Sequence, residues 1–392
     1  MSASIAKTTI LGCTLAASSF SYGQSAKEFF TEGDFSFSIR ARYEFADFDN
    51  RDEGNALTAR TLIGYKFAEQ SGIGGYVELV NVSAVDQDAY NGIVDGDSSK
   101  SIIADPTTSE LNQAYVSFKP TEGLLIKGGR QRLIYDNARF IGNVGWRQNE
   151  QTFDAVSASY SYEGMKLSYA YLYEINRILA DKSDWDSDSH LINLTYKGLE
   201  NITFGAYGYF LDFDGTAPAA NDTDTFGAYV AGSHPTDSVK IGYRAEYARQ
   251  ESDTDIETDY AHLMLSGSAS GITVAVGYEL LGSDDGAGRF VTPLATAHAF
   301  NGWADAYLNN GGAGGLENYY ISIAGKIGPV PVKAIYHNFS SDEGSLADGD
   351  EIDLLATYKI NENVSTLFKA AFYEGDNLAD RNRFWAQIQF TY

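Results

Sequence analysis

Apolar and polar residues alternate with a period of two along most of this chain. Residues 35–45 read FSFSIRARYEF, in which every odd-numbered position is apolar. Residues 384–392 repeat the pattern, with an apolar side chain at every second position. Successive side chains of a β-strand point to opposite faces, so this pattern predicts strands with one apolar and one wet face.

The pattern recurs in segments of roughly nine to thirteen residues, a length that crosses a bilayer when the strand is tilted. We predict eighteen strands, at residues 35–48, 56–67, 74–85, 110–119, 124–134, 153–163, 165–176, 188–196, 202–212, 224–234, 238–250, 259–269, 272–281, 316–326, 330–340, 349–358, 363–374 and 381–392. The 27 tyrosines, 22 phenylalanines and only 7 prolines suit such strands. No long apolar run follows the N-terminus, which excludes a helical membrane protein.

Short and long connections alternate between these strands. The short ones are 121–123, 163–164, 197–201, 235–237, 270–271, 327–329 and 360–362, and the long ones are 86–109, 135–152, 177–187 and 282–315. Short periplasmic turns and longer extracellular loops are typical of a transmembrane antiparallel β-barrel, which closes because hydrocarbon offers no hydrogen bonds to free sheet edges. A large soluble all-β protein is the alternative, although no internal repeat supports a propeller.

The two ends of the chain predict export and assembly. Residues 1–23 have a basic start, a short apolar stretch and a small-residue cleavage site, so we expect a cleaved signal peptide before a single barrel domain at 24–392. A lipoprotein box ending at Cys13 is the alternative. At the other end, Phe390 and Tyr392 are typical of the signal that the barrel-assembly machinery of Gram-negative outer membranes reads. The expected location is therefore the outer membrane, with lipid and lipopolysaccharide as partners.

If the apolar face of each strand meets lipid, the alternate residues face the lumen. This places ten polar side chains inside, namely Arg40, Arg42, Glu44, Arg60, Lys127, Gln131, Lys240, Arg244, Glu246 and Lys369. Charges of both signs hold water in a barrel and set its ion selectivity. The alternative is that the arginine–glutamate pairs only brace the wall.

The long connection 135–152 is too apolar for a solvated loop and too rich in glycine for a strand. We expect Phe140, Ile141 and Trp146 to draw it into the pore, where Arg139 and Arg147 would line a constriction. Packing of this loop on the barrel rim is the alternative.

Part of the chain resembles a known family. The matching stretches are LNQAYV at 111–116, GRQ at 129–131, NAR at 137–139, GWRQ at 145–148 and TFD at 152–154. They are similar to the conserved region of the alginate-export family of outer-membrane porins. The resemblance implies an eighteen-stranded monomeric barrel with an arginine-lined constriction for anionic sugars or other small solutes. It also implies that Arg130, Arg139 and Arg147 line or brace the pore, with Asp154 as a partner.

The net negative charge of the chain helps to choose between the classes of function that remain. A net charge of −25 argues against nucleic acid as a partner, and most of the acid lies in predicted outer loops. It also favours a general or sugar-selective porin over a dedicated alginate exporter. A structural or adhesive barrel with cation-binding loops and a blocked lumen is the second hypothesis. We expect no enzyme, cofactor or metal site, since no catalytic motif occurs and His262 with Ser266 is the one faint candidate.

Overall fold

The computed structural model describes residues 24–215, 217–218 and 221–392. The predicted signal peptide and Cys13 lie outside these residues. The helix is α1 (Gln24–Thr31), and 3-10 turns lie at Gln87–Ala89, Ala180–Lys182, Ala297–Ala299 and Gly312–Gly314. None of the described helices has the length and apolar character needed to span a bilayer.

Nineteen strands pair within the described residues. They are β1 (Asp34–Phe48), β2 (Gly54–Gln70), β3 (Ile73–Ala84), β4 (Thr108–Thr121), β5 (Leu124–Gln131), β6 (Thr152–Tyr162), β7 (Met165–Asn176), β8 (Trp185–Leu199), β9 (Ile202–Leu211), β10 (Phe213–Asp214), β11 (Thr223–Pro235), β12 (Lys240–Ser252), β13 (Glu257–Ala269), β14 (Ile272–Leu281), β15 (Leu316–Ile327), β16 (Val330–Ser340), β17 (Gly349–Lys359), β18 (Val364–Gly375) and β19 (Arg381–Thr391). The two-residue β10 pairs with the loop end of β8, and the other eighteen form the wall.

The wall is a closed antiparallel barrel. Each of its strands pairs with its neighbour along the chain, and β1 pairs with β19 from Ser38 opposite Thr391 to Phe48 opposite Arg381. The last residue completes the seam, because Phe37 and Tyr392 exchange main-chain hydrogen bonds of 3.0 and 2.8 Å. Closure leaves no free edge, as a sheet in hydrocarbon requires. The eighteen predicted strands are confirmed.

The predicted strand ends differ from the observed ones where the chain leaves the barrel wall. The alternation over 124–134 predicts a longer strand than β5, which ends at Gln131 because Arg132 and Leu133 begin a segment that turns into the lumen. The helix α1 and the short β10 are not predicted, since eight and two residues are too few for a periodic signal.

The two faces of the wall have the polarity of a membrane barrel. On β1, Ile39 and Tyr43 are 39 % and 41 % exposed, whereas Arg40 and Arg42 are only 9 % and 1 % exposed. Charged residues are thus covered inside the barrel while aliphatic and aromatic ones form its outer surface. This is the reverse of a soluble protein and suits a wall that faces lipid.

Two long connections fold into the barrel at the end that carries the long loops. They are the 132–151 loop between β5 and β6 and the 282–315 loop between β14 and β15. Phe140 packs its ring 5.1 Å from both Tyr207 and Tyr260 of the wall and 5.9 Å from Phe290 of the other loop. The hydrophobic core therefore lies inside the barrel, between the loops and the wall. The sequence indicates infolding only for the first of these loops.

Candidate functional site

Two arginines of β1 donate hydrogen bonds to the backbone of the 132–151 loop. Arg42 donates from Nη2 to the carbonyl of Trp146 at 2.7 Å, and its guanidinium lies 4.2 Å from the centre of that indole ring. Arg40 donates from Nη1 to the carbonyls of Trp146 and Arg147, each at 3.3 Å. Since the period-two pattern of β1 places both side chains in the lumen, they reach the backbone of the loop that folds into it.

An ion-pair network joins both loops to the wall around Arg147. This residue contacts Glu44 of β1 at 3.3 Å and Asp305 of the 282–315 loop at 2.6 Å. Arg383 of β19 donates to the same glutamate at 2.8 Å. Burial alone would lower the pKa of Arg147, but the surrounding carboxylates outweigh it and raise the pKa. Arg147 is thus a permanently charged brace.

Asp105 adds a further carboxylate to this network. It belongs to the 85–107 loop between β3 and β4, which the sequence assigns to the outer side, yet it is fully buried. It lies 3.6 Å from Arg42 and accepts the backbone N–H of Gln148 at 2.7 Å. A buried guanidinium needs a nearby counter-charge, and the 85–107 loop supplies it.

Arg139 braces two elements rather than facing open space. It is fully buried, pairs with Glu279 of β14 at 2.7 Å and donates to Asn301 of the 282–315 loop at 3.0 Å. Of the two roles expected for Arg139, these contacts are those of a residue that braces the pore, and lining of the constriction stays a prediction. The carboxylate of a neighbouring wall strand holds it inside the core.

The other predicted lumen cations take different positions. Arg244 on β12 pairs with Glu246 at 2.6 Å and with Asp136 of the 132–151 loop. Arg60 is buried on β2 with its Nε unpaired, and Lys127 lies with Nζ 4.3 Å from the centre of the Tyr115 ring.

Two lumen residues differ from the expected pattern. Lys240 lies exposed at the end of β12, next to a short turn. Arg132, which sequence reasoning missed, bridges Glu78 at 2.6 Å and Glu150. Its pairing partners come from distant segments, so no local pattern could reveal it.

Arg130 and Asp154 lie on a different face of the barrel from the one that we predicted. They form the expected pair, with contacts of 2.7 and 3.1 Å. However, Gln131 and Phe153 beside them face the lumen and are almost fully buried, so the period-two rule turns Arg130 and Asp154 outward. They lie on the outer face near the loop end of β5 and β6 and do not line the pore.

A cavity of about 590 Å³ opens above the ion-pair network. Six arginines line it, which are Arg51, Arg147, Arg177, Arg289, Arg381 and Arg383. Asp305 is the one carboxylate among its described lining residues. We call this cavity the arginine vestibule.

Four of these arginines form no ion pair within 4.0 Å among the described residues. Arg51, Arg177, Arg289 and Arg381 form no ion pair with any described carboxylate, whereas Arg147 and Arg383 do. Burial lowers the pKa of Arg177 to about 10, which is still well above neutral pH, and burial also lowers the pKa of Arg289. The vestibule therefore carries an excess of positive charge inside a chain that is acidic overall.

The vestibule also has apolar walls. The guanidinium of Arg177 lies 4.0 Å from the centre of the Trp185 ring, and that of Arg381 lies 4.8 Å from the Phe48 ring. Val291, Pro293 and Leu308 complete this part of the lining. Such a site can bind the anionic group of a solute and still contact its uncharged part.

The candidate catalytic residue has a different partner. His262 hydrogen bonds through Nε2 with the Tyr320 hydroxyl at 3.0 Å, and among the described residues no hydrogen bond joins it to Ser266.

A closed barrel with an apolar outer belt, a charged lumen and infolded loops defines an outer-membrane channel of the porin class. The sequence model of the alginate-export family matches residues 32–282. The chain belongs to this family, and its location is the outer membrane of a Gram-negative bacterium. No curated protein matches the chain.

Solved porins share the fold. Acinetobacter baumannii OccAB4 is similar with a TM-score of 0.75 and 12% identity over 92% of this chain and 98% of that one. Pseudomonas aeruginosa OccK9 (OpdG) is similar with a TM-score of 0.73 and 14% identity, over 93% of this chain and 99% of that one. Pseudomonas aeruginosa OpdK, solved with vanillate, is similar with a TM-score of 0.72 and 11% identity, over 92% of this chain and 98% of that one. These similarities concern the fold alone.

Proposed function

We propose that this chain is a passive channel that prefers small organic anions, including acidic saccharides. The observation that supports this most directly is the arginine vestibule, where four guanidinium groups form no ion pair within 4.0 Å among the described residues, namely those of Arg51, Arg177, Arg289 and Arg381. A cluster of unneutralised like charges with low-dielectric walls concentrates counter-ions at its mouth. An anionic solute would therefore be enriched beside the constriction.

The chemistry of the lining supports organic rather than simple inorganic anions. Guanidinium groups bind carboxylates through paired hydrogen bonds, and Arg289 and Arg381 both belong to the lining of the vestibule. The ring of Trp185, which Arg177 covers on one face, lies in the same lining and adds an apolar contact for a sugar or aromatic solute. The structural neighbour OpdK was solved with vanillate, and this vestibule has groups suited to such an anion.

The acidic balance of the chain does not oppose this proposal. Acidic side chains such as Asp253 and Asp255 are exposed on the outer loops, away from the vestibule. At physiological salt, exposed charges separated by more than about 8 Å are largely screened. We propose that these loops face the lipopolysaccharide layer, and we propose no catalytic step.

Ion selectivity in planar bilayers tests the proposal. Replacing two of these four arginines in an Arg177→Gln, Arg289→Gln double variant should lower the chloride-to-potassium permeability ratio severalfold, because the vestibule loses part of its positive potential. The matched control is Arg249→Gln, an exposed arginine that pairs with Glu257 on the outer surface. The control should keep the wild-type ratio. An unchanged ratio in the double variant, with conductance intact, would contradict anion preference.

The blocked structural barrel is the second candidate, because the two infolded loops pack a continuous hydrophobic core across part of the lumen. It predicts no swelling of proteoliposomes in small sugars. Swelling in glucose and faster swelling in glucuronate would support the channel instead.

A further inference from the structure

Lys369 of β18 lies at the centre of an aromatic box. Its Nζ is 3.7 Å from the centre of the Trp303 ring, 4.1 Å from that of Trp146 and 5.3 Å from that of Trp385. Trp146 belongs to the 132–151 loop, Trp303 to the 282–315 loop and Trp385 to β19. We call this group the tryptophan box. It joins both inner loops and the wall at a single ammonium group.

A histidine completes the coordination of this lysine. The Lys369 ammonium donates to Nε2 of His298 at 2.6 Å, and Nδ1 of His298 donates to Asp305 at 2.7 Å. The imidazole also stacks on Trp146, with ring centres 4.9 Å apart and planes at 8°. Since Asp305 pairs with Arg147, the contact continues into the ion-pair network.

The ammonium is held almost entirely by parts of the loops. Among the described residues, no carboxylate oxygen lies within 4.0 Å of Lys369 Nζ. Its partners are indole faces and one imidazole, and cation–π contacts are stronger when the cation is removed from water. Three of these four groups leave if the loops leave. Lys369 would then face a water-filled lumen, so its buried position depends on docking of both loops.

We propose that Lys369 is the positioning residue that holds the two inner loops against the wall and so fixes the bore of the channel. The part that concerns the bore rests on the proposed function, whereas the docking of the loops does not. In the docked arrangement the three indole rings and the imidazole replace the water that the ammonium loses, and without them its burial would be costly.

Quenching of tryptophan emission by acrylamide tests the docking directly, because three of the four tryptophans of the chain form the box. Lys369→Ala and Lys369→Met should both increase quenching, and Lys369→Arg should restore the wild-type value, since a guanidinium keeps the charge and can donate to His298. Lys333→Ala is the matched control, because this lysine faces the same lumen outside the box. The heat-modifiable gel mobility of each variant reports that the barrel is folded.

Single-channel conductance tests the bore. Lys369→Ala and Lys369→Met should roughly double it and increase its fluctuation, as expected when a constriction loosens, and Lys369→Arg should not. If Lys369→Met behaves as the wild type in both measurements, volume rather than the ammonium holds the loops and the inference fails. If the wild type does not conduct but quenching follows the predicted order, the proposed function fails while the positioning role of Lys369 stands.

Discussion

Arg147 and Asp305, on two different connections, form an ion pair of 2.6 Å inside the barrel, and both side chains are almost fully buried. The pair links the 132–151 loop to the 282–315 loop, and Glu44 attaches it to the first strand. The two loops therefore form one unit rather than two independent flaps.

This linkage predicts a large effect of removing Arg147. In Arg147→Ala the carboxylates of Glu44, Asp105 and Asp305 lose a shared cation, and breaking a buried ion pair costs about 3–5 kcal/mol. The free energy of unfolding, measured in urea with detergent-folded protein, should fall by an amount of that order. A fall of less than about 1 kcal/mol, the value of an exposed pair, would show that the network does not contribute the stability of a buried ion pair.

Arg130 should behave in the opposite manner. Its partner Asp154 lies with it on the outer face, so Arg130→Gln should leave ion selectivity unchanged. The pair is partly exposed, and its loss should cost about 0–1 kcal/mol of stability. A shift in reversal potential comparable with that of the vestibule variants would place Arg130 in the pore after all.

Loop docking should weaken in acid through His298. Burial, together with the nearby cations Lys369 and Arg147, lowers the pKa of His298 from 6.5 to about 3, although Asp305 acts in the opposite direction. Between pH 6.5 and about pH 3, His298 of a released loop binds a proton and His298 of the docked loop does not. Docking should therefore become less favourable as the pH falls through this range, by up to about 1.4 kcal/mol per pH unit.

The readout is acrylamide quenching of the tryptophan box between pH 7 and pH 4. Quenching should rise in acid for the wild type. In His298→Gln, whose amide can accept from Lys369 without titrating, the profile should be flatter. Equal slopes for the two proteins would assign the pH dependence to another group.

The final strand carries a separate prediction. Phe390 and Tyr392 close the seam with β1 through main-chain bonds, so their side chains are not needed for pairing. Tyr392→Ala should lower the yield of folded protein in cells but not refolding in detergent, if the assembly machinery reads the terminal ring. Tyr358→Ala is the control, since Tyr358 is also an outward tyrosine near a short turn. Equal yields for both variants would remove this role.

Alternation explains how much of this structure the sequence predicts. A strand of the wall has only two environments, so the inward position of Arg40 and Arg42 follows from Ile39 and Tyr43 beside them. The same rule applied strictly to Gln131 would have placed Arg130 outside. The motif resemblance, which carries no information on faces, led to the wrong assignment.

Contacts between distant segments could not be predicted in this way. Glu44 and Arg383 are 339 residues apart, and only closure of the barrel brings them together. The 282–315 loop was missed because Phe290 and Trp303 are spread among glycines and polar residues without a period. The tryptophan box depends on both facts, since its members come from two loops and two strands.

The central claim is that a water-filled lumen with an arginine vestibule passes anions. The zero-current potential of the purified wild-type protein in a planar bilayer, under a gradient of potassium chloride, measures it most directly. An anion-selective channel should give discrete conductance steps and a potential of the sign that chloride preference produces. A potential of the opposite sign, or folded protein that inserts without conducting, would contradict it.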